Sequence, residues 1–229
     1  MKPDWESIQF VVFDVDGTLY DQRALRIRMA RDMLFHAIRK ANLTHLSVIK
    51  AYRNIRERLA EAQATDFDLQ LMADTVASTG ASEEQIRAIV QEWLENRPLA
   101  YLMSCRFPHL SELFSGLKQN GKVVGILSDY PAHAKLAALG LVADHVVSAT
   151  DQRVQRLKPH PKGLQVLIAD AGFTAAQTLM IGDRVERDGD AARRAGVASL
   201  IRSSTPKSNW QTFVRFDDPL FAPILPVLA

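Results

Sequence analysis

Two aspartates, Asp14 and Asp16, are the residues of this chain whose type and spacing most clearly suggest chemistry. They follow the apolar run from Ile8 to Phe13, which is typical of a strand buried on both faces of a parallel sheet. Gly17 comes directly after Asp16 and permits a tight exit from the strand. Ligands of open α/β sheets bind at the carboxyl ends of strands, so both acids lie where a site is expected. The same Asp-x-Asp-Gly spacing is also typical of a simple turn.

The stretch DVDGTLY, Asp14 to Tyr20, resembles the first motif, DxDGTL, of the haloacid dehalogenase superfamily. Most members of that superfamily are Mg²⁺-dependent phosphatases, and its other motifs follow later strands. Ser128 closes the apolar run Lys122–Leu127, as the second motif requires. Lys158 lies in the KPxP setting of the third motif, where the following proline keeps it in an extended loop. Each motif alone is a weak signal for the superfamily, whereas the presence of all of them in the same order is a specific one.

The fourth motif, GDxxxxD followed by a small-residue helix and AG, resembles the stretch from Gly182 to Gly196. It follows the apolar run of a further strand and contributes Asp183 and Asp188. Mg²⁺ prefers oxygen ligands and takes only a few of them from the protein. The resemblance therefore implies that Asp183 is a metal ligand. Asp188 is expected to support the site by orienting a metal-bound water or by holding the motif lysine. Glu186 and Arg187 occupy variable positions of the motif and are predicted to be solvated surface.

The resemblance implies a Mg²⁺-dependent phosphomonoester hydrolase that acts on a small phosphorylated metabolite through an aspartyl-phosphate. Asp14 would be the nucleophile, and Asp16 would protonate the leaving oxygen and then accept a proton from water. Ser128 and Lys158 would hold the remaining phosphoryl charge. The implied metal ligands are Asp14, Asp16 through its backbone carbonyl, and Asp183. Within the superfamily the chain resembles phosphatases with a helical C1 cap, such as phosphoglycolate phosphatases, and the choice among sugar phosphates, phosphoglycolate and nucleotides stays open.

The order of elements predicts an α/β fold, with a Rossmann-like parallel sheet core flanked by helices. Strand-like apolar runs precede each motif and alternate with helices. The stretch 21–105 instead shows only helical spacing, so we expect an inserted α-helical cap there, and a core formed by residues 1–20 and 106–229. The tail contains several aromatic residues and prolines and predicts a strand or coil on the sheet edge, or a dimer contact.

Composition is that of an ordinary soluble protein, with 229 residues, 47% hydrophobic residues and a net charge of +2. No segment resembles a signal peptide or a membrane span, so we expect a cytoplasmic protein with no membrane partner. The near-neutral charge argues against nucleic acid. A single cysteine, Cys105, excludes an internal disulfide and is expected to be a packed side chain. The expected partner is a small phosphorylated substrate, and the chain could be a monomer or a homodimer.

Charge is unevenly distributed in the predicted cap. The segment 22–58 holds ten Lys or Arg against two acids, whereas 66–95 holds seven acids against one Arg. These helices could neutralise one another or be solvated, or the basic segment could attract an anionic substrate.

Four alternatives to a phosphatase are considered. A phosphonate-cleaving relative would require a cap lysine as a Schiff base, and Lys40 and Lys50 are too unspecific to indicate one. Dehalogenases of the same superfamily act on carbon and need no second acid, so Asp16 argues for phosphorus chemistry. A phosphomutase of the β-phosphoglucomutase type shares all four motifs. A phosphate-binding or protein-interaction module without turnover would not need every acid intact.

Overall fold

A computed structural model describes residues 3–40 and 43–225 of the chain. Its centre is a six-stranded sheet in which every pairing is parallel and the strand order is β3-β2-β1-β4-β5-β6. The strands are β1 (Phe10–Phe13), β2 (Val123–Ser128), β3 (His145–Ser148), β4 (Thr178–Gly182), β5 (Ala198–Arg202) and β6 (Gln211–Phe213). The predicted fold class, a parallel α/β sheet flanked by helices, is confirmed.

The first strand lies in the middle of the sheet because its side chains are apolar on both faces. Val11 and Phe13 pack into one hydrophobic cluster, and Phe10 and Val12 pack into a second cluster on the opposite face. All four side chains are fully buried, which is typical of a central parallel strand. This burial holds the end of β1 rigidly in the sheet.

Five α-helices follow β1 before the chain returns to the sheet. They are α1 (Gln22–Lys40), α2 (Thr44–Glu61), α3 (Phe67–Thr79), α4 (Glu83–Val90) and α5 (Arg97–Cys105), with a π-helical stretch at Gln91–Asn96. The entry and exit of this helical segment lie side by side, because Tyr20 forms an antiparallel bridge with Arg106. Cys105, at its end, is a buried side chain, as predicted. No helix within the described ranges is long and apolar enough to cross a membrane.

The remaining helices connect or follow the strands of the sheet. They are α6 (Leu110–Gln119), α7 (His133–Leu139), α8 (Lys162–Ala171) and α9 (Asp190–Arg194), with a π-helical stretch at Val185–Gly189. In the tail, β6 extends the sheet beyond β5, and Phe213, Phe216 and Phe221 are buried against one another. The prediction that the tail packs on the sheet edge is therefore confirmed.

Candidate active site

Asp14 lies at the carboxyl end of β1, where the sheet holds its backbone in place. Its N–H donates to the carbonyl of Ile181 in the neighbouring strand at 2.9 Å. Its side chain is 7% exposed and accepts a hydrogen bond on each oxygen, from Lys158 Nζ at 2.5 Å and from Thr18 Oγ1 at 2.9 Å. Burial raises the pKa of the Asp14 carboxyl well above its ordinary range, against the attraction of Lys158.

Lys158 joins two of the acids predicted at the site. Besides Asp14, its Nζ donates to Asp188 Oδ1 at 2.6 Å, and its side chain is 5% exposed. Burial alone would lower the pKa of Lys158, but the charges of Asp14 and Asp188 raise it well above its ordinary value. Its backbone is also anchored, because the N–H donates to Asp129 Oδ1 and the carbonyl accepts from Arg187. The loop therefore presents a fixed cation to both acids.

Asp183 and Asp188 follow β4 and differ in how their oxygens are used. Asp188 Oδ2 accepts from the backbone N–H groups of Asp183 and Arg184 at 3.1 and 3.0 Å, while its Oδ1 accepts from Lys158. Asp183 Oδ1 is buried and has no hydrogen-bond partner among the described residues. Burial, followed by repulsion from Asp188, raises the pKa of Asp183 to about 7. Asp183 thus has an oxygen left for a ligand outside the chain.

The acids at these strand ends fit a divalent cation. Asp14, Asp183 and Asp188 each offer a carboxylate oxygen, and these oxygens lie within 4.8 Å of one another. Two buried carboxylates and the half-buried carboxylate of Asp183 beside one lysine leave excess negative charge, and oxygen is the ligand type that Mg²⁺ prefers. Asp188 belongs to this group, although both of its oxygens already accept hydrogen bonds.

The side chain of Asp16 points to a different set of partners. Lys135 Nζ donates to Asp16 Oδ1 at 2.6 Å and to Oδ2 at 2.8 Å, and the Tyr20 hydroxyl donates to Oδ1 as well. Burial would raise the pKa of the Asp16 carboxyl, but the charge and hydrogen bonds of Lys135 and the hydrogen bond from Tyr20 lower it. The two aspartates of the opening motif therefore stand in opposite electrostatic environments.

Ser128 ends β2, next to β1, and is 1% exposed. Its Oγ accepts from the N–H of Tyr130 at 3.2 Å. A cavity of about 360 Å³ adjoins this edge of the sheet, and the predicted site residues Asp14, Asp16, Lys158, Asp183 and Asp188 line it. Ser128 lies behind that surface, where its neighbours Asp129 and Tyr130 face the cavity.

The helical segment supplies the opposite wall of the cavity, including Arg26 and Arg53. Among the described residues, neither guanidinium has a hydrogen-bond or ion-pair partner. Arg58, by contrast, forms an exposed ion pair with Asp74 at 2.6 Å. The basic segment is therefore divided: part of it is paired with the acidic helices, and part of it faces the cavity.

Two further arginines connect the helical segment to the sheet. Arg56 is buried, donates to the carbonyl of Asp129 and stacks on the ring of Tyr130 at 4.2 Å. From the core, Arg187 donates to Glu57 Oε2 at 2.5 Å. Arg187 is only 4% exposed, so the prediction that it is solvated surface is wrong: its guanidinium is buried between Glu57 and the carbonyl of Lys158.

Lys135, Tyr20, Glu57 and Arg187 are the contacts to the site that sequence reasoning missed. Lys135 follows the second motif in a short helix, where a lysine is normally exposed, and its contact with Asp16 joins residues 119 positions apart. Glu57 and Arg187 are 130 positions apart. Tyr20 directly follows the first motif and Arg187 fills a variable position of the fourth, and these positions were the signals available in the sequence.

Comparisons with known proteins agree on one family. Residues 8–196 match the model of the haloacid dehalogenase-like hydrolases. The sequence is 29% identical over 209 residues to the phosphoglycolate phosphatase of Shigella dysenteriae serotype 1, and the alignment covers 86% of this chain and 81% of the Shigella protein. The fold is similar to that of the HAD-hydrolase YfnB from Bacillus subtilis, whose structure has bound magnesium (TM-score 0.65, 17% identity, 95% of this chain and 98% of that one). A 2-haloacid dehalogenase from Pseudomonas syringae pv. Tomato DC3000 has a similar fold (TM-score 0.63, 17% identity, 94% and 96%).

Proposed function

Because the chain belongs to the haloacid dehalogenase-like hydrolase family, we propose that it is a Mg²⁺-dependent phosphomonoester hydrolase working through an aspartyl-phosphate. One observation carries this proposal. Lys158 bridges Asp14 and Asp188, and Asp183 in the same group of acids has a buried oxygen that no described residue hydrogen-bonds. Such a site combines a rigid nucleophile with the cations that a phosphoryl group needs.

In the first step, a carboxylate oxygen of Asp14 forms a bond to phosphorus while the bond from phosphorus to the leaving oxygen breaks. Asp16, which enters this step protonated, gives its proton to that leaving oxygen. In the second step, water attacks the phosphorus of the aspartyl-phosphate and the bond between phosphorus and the Asp14 oxygen breaks. Asp16, now a carboxylate, accepts a proton from the water and is restored as the acid, while free phosphate leaves. Lys158 remains charged and holds negative charge throughout.

We assign the metal to the carboxylates of Asp14 and Asp183 and the backbone carbonyl of Asp16. When bound, Mg²⁺ would neutralise charge on the phosphoryl oxygens and so make attack by an anionic carboxylate easier. Asp188 supports this set by holding Lys158 and by accepting from the backbone of the loop after β4. The raised pKa of Asp183, about 7, agrees with a site built to contain a cation.

The helices between residues 21 and 105 are proposed to form a cap that closes over the cavity and selects the substrate. Arg26 and Arg53 suit a substrate with a second anionic group besides its phosphate, because both line the cavity and neither has a hydrogen-bond or ion-pair partner in the described ranges 3–40 and 43–225. The relative from Shigella dysenteriae is named a phosphoglycolate phosphatase, and 2-phosphoglycolate carries such a second anion. It is therefore the first substrate to test. The oligomeric state and a cytoplasmic location stay predictions.

The test is phosphate release from 2-phosphoglycolate and from p-nitrophenyl phosphate by the purified chain. Activity should require Mg²⁺, disappear in EDTA and return poorly with Ca²⁺, whose larger and looser coordination misplaces the attack. Full turnover without metal would contradict the metal assignment. Release of free phosphate from one substrate, without a phosphorylated acceptor, separates a phosphatase from a phosphomutase.

A matched pair of variants tests the roles of the two aspartates. Asp14→Asn should abolish turnover and form no phosphoenzyme. Asp16→Asn keeps the nucleophile but loses proton transfer, an effect of about 10²–10⁴-fold per assisted step. With p-nitrophenyl phosphate, whose leaving group needs no proton, Asp16→Asn should accumulate phosphate on Asp14, which intact-mass measurement after acid quenching detects. Phosphate on the Asp14 variant, or normal turnover of the Asp16 variant, would show that the roles are wrongly assigned.

A further inference from the structure

Lys135 is a buried cation beside the active site that the reaction described above does not use. Its side chain is 8% exposed, and its ammonium group donates to both oxygens of Asp16 at 2.6 and 2.8 Å. The ammonium also lies 5.1 Å from the ring centre of Tyr130. A lysine rarely loses its hydration for one surface contact, so this arrangement holds a particular group in place.

Tyr20 completes the arrangement from the other side. Its ring is 2% exposed, and its hydroxyl donates to Asp16 Oδ1, the oxygen that also accepts from Lys135. Tyr20 lies where the chain enters the helical segment and is bridged there to Arg106. With donors from two separate elements on one carboxylate, the side chain of Asp16 has little freedom to rotate.

We propose that Lys135 and Tyr20 are positioning residues that fix the orientation of the Asp16 carboxylate for proton exchange. This inference rests on the proposed function, in which Asp16 gives a proton to the leaving oxygen and later takes one from water. Lys135 and Tyr20 keep their own protons in both steps. Since proton transfer requires hydrogen-bond distance and alignment, a carboxylate free to rotate would be a poorer acid and base.

The hydrogen bonds distinguish this role from phosphate binding. Lys158 already serves the nucleophile, through its contact with Asp14, whereas within the described part of the chain the side-chain hydrogen bonds of Lys135 go to Asp16 alone. Both lysines are buried and each is paired with its own aspartate of the opening motif. Loss of Lys135 should therefore affect proton transfer and leave binding of the phosphoryl group largely intact.

The experiment compares Lys135→Met with the wild-type enzyme on substrates whose leaving groups differ in their need for a proton. For 2-phosphoglycolate, whose glycolate leaving group would depart as an alkoxide without a proton, kcat should fall by roughly tenfold or more, a part of the 10²–10⁴-fold that proton transfer supplies. KM should change little. For p-nitrophenyl phosphate, the rapid release of the first equivalent of p-nitrophenolate should persist while later turnover slows and phosphoenzyme accumulates.

Tyr20→Phe removes one hydrogen bond without changing the shape of the ring and should act in the same direction with a smaller effect. It also keeps the inference testable if Lys135→Met does not fold. Lys118→Met, at an exposed position on α6, is the matched control and should behave as wild type.

Equal slowing of leaving-group release, the first step, on both substrates would overturn the inference in favour of a structural role, and a raised KM with unchanged kcat would overturn it in favour of substrate binding. Unchanged kinetics in both Lys135→Met and Tyr20→Phe would overturn it as well. Failure of the proposed function is a distinct result, because then the wild-type enzyme itself would release no phosphate from either substrate.

Discussion

Replacement of Lys158 by methionine is the sharpest test of how the active site is held together. Methionine has a similar length but no charge, so Asp14 and Asp188 would keep their burial and lose their shared cation. The two carboxyl side chains are only 7% and 2% exposed, so water cannot replace the lysine without local opening. Removing one partner of a buried ion pair costs about 3–5 kcal/mol.

The expected cost can also be worked from the proton that must replace the lost charge. A buried carboxylate without its cation takes up a proton, and the ordinary pKa of an aspartate is about 3.9. Holding one carboxyl protonated at pH 7 then costs about 1.36 kcal/mol for each of roughly three pH units, or about 4 kcal/mol. The two estimates agree. For a chain of this length the melting temperature should fall by roughly 8–16 °C.

The sign of the pH dependence follows from the same proton. The ammonium proton of Lys158 is present in both states of the wild-type protein and therefore cancels. Lys158 also opposes the burial that raises the pKa of Asp14, so the acids of the native variant bind up to one more proton than those of the native wild-type protein, while the acids of the two unfolded chains bind equal numbers. The stability lost by the variant should therefore shrink as the pH falls from 7, by at most about 1.4 kcal/mol per unit.

Urea unfolding in EDTA at several pH values measures this loss, since EDTA prevents a metal from neutralising the acids. Lys162→Met, an exposed lysine at the start of α8, is the control and should change stability by no more than about 0.5 kcal/mol. Adding Asp188→Asn to the Lys158 variant should recover much of the loss, because it removes one uncompensated charge. A loss below about 1 kcal/mol at pH 7, or no recovery in the double variant, would refute this reasoning.

Three other predictions concern the walls of the site. Glu57→Gln should destabilise the protein most above pH 5, and the difference from wild type should disappear as the pH approaches 2. Burial would raise the pKa of Glu57, but the hydrogen bonds and charges of Arg184 and Arg187 lower it from 4.5 to about 2, so the stability that Glu57 contributes is present above its ordinary pKa and is lost as the pH falls to 2. A stability difference that does not change with pH would contradict this. Gly182→Ala would place a Cβ 2.3 Å from the Cβ of Asp188 and so displace that side chain, which supports the proposed metal site. We therefore expect the Mg²⁺ concentration needed for activity to rise roughly 10–100-fold in a metal titration. An unchanged titration would show that Asp188 can move without disturbing the site. Arg53→Ala should raise KM for 2-phosphoglycolate by roughly 10–100-fold, as expected for a lost charged hydrogen bond, and leave KM for p-nitrophenyl phosphate nearly unchanged; equal changes on both substrates would exclude a role in recognising the second anion.

The edge of the sheet on which the site forms was predictable from local patterns in the sequence. Apolar runs of strand length each end in a polar residue, as at Phe13–Asp14 and Leu127–Ser128. Parallel strands place their carboxyl ends at one edge, so residues far apart in the chain must meet there. Strand and helix periods depend on neighbouring residues alone, which is why the fold class and the grouping of Asp14 with Asp183 could be inferred without coordinates.

The contacts that tune the site were decided only by tertiary structure. Lys135 reaches Asp16, and Glu57 reaches Arg187, because α7 and α2 pack at particular positions over the sheet edge. Nothing in the residues beside Lys135 or Arg187 distinguishes them from exposed cations, since burial of a long side chain depends on which distant element covers it. A sequence period records which face of a helix is apolar, whereas the partner of a buried charge is set by the relative placement of whole helices. Local sequence therefore determined where the acids of this protein lie, and long-range packing determined which cation each of them meets.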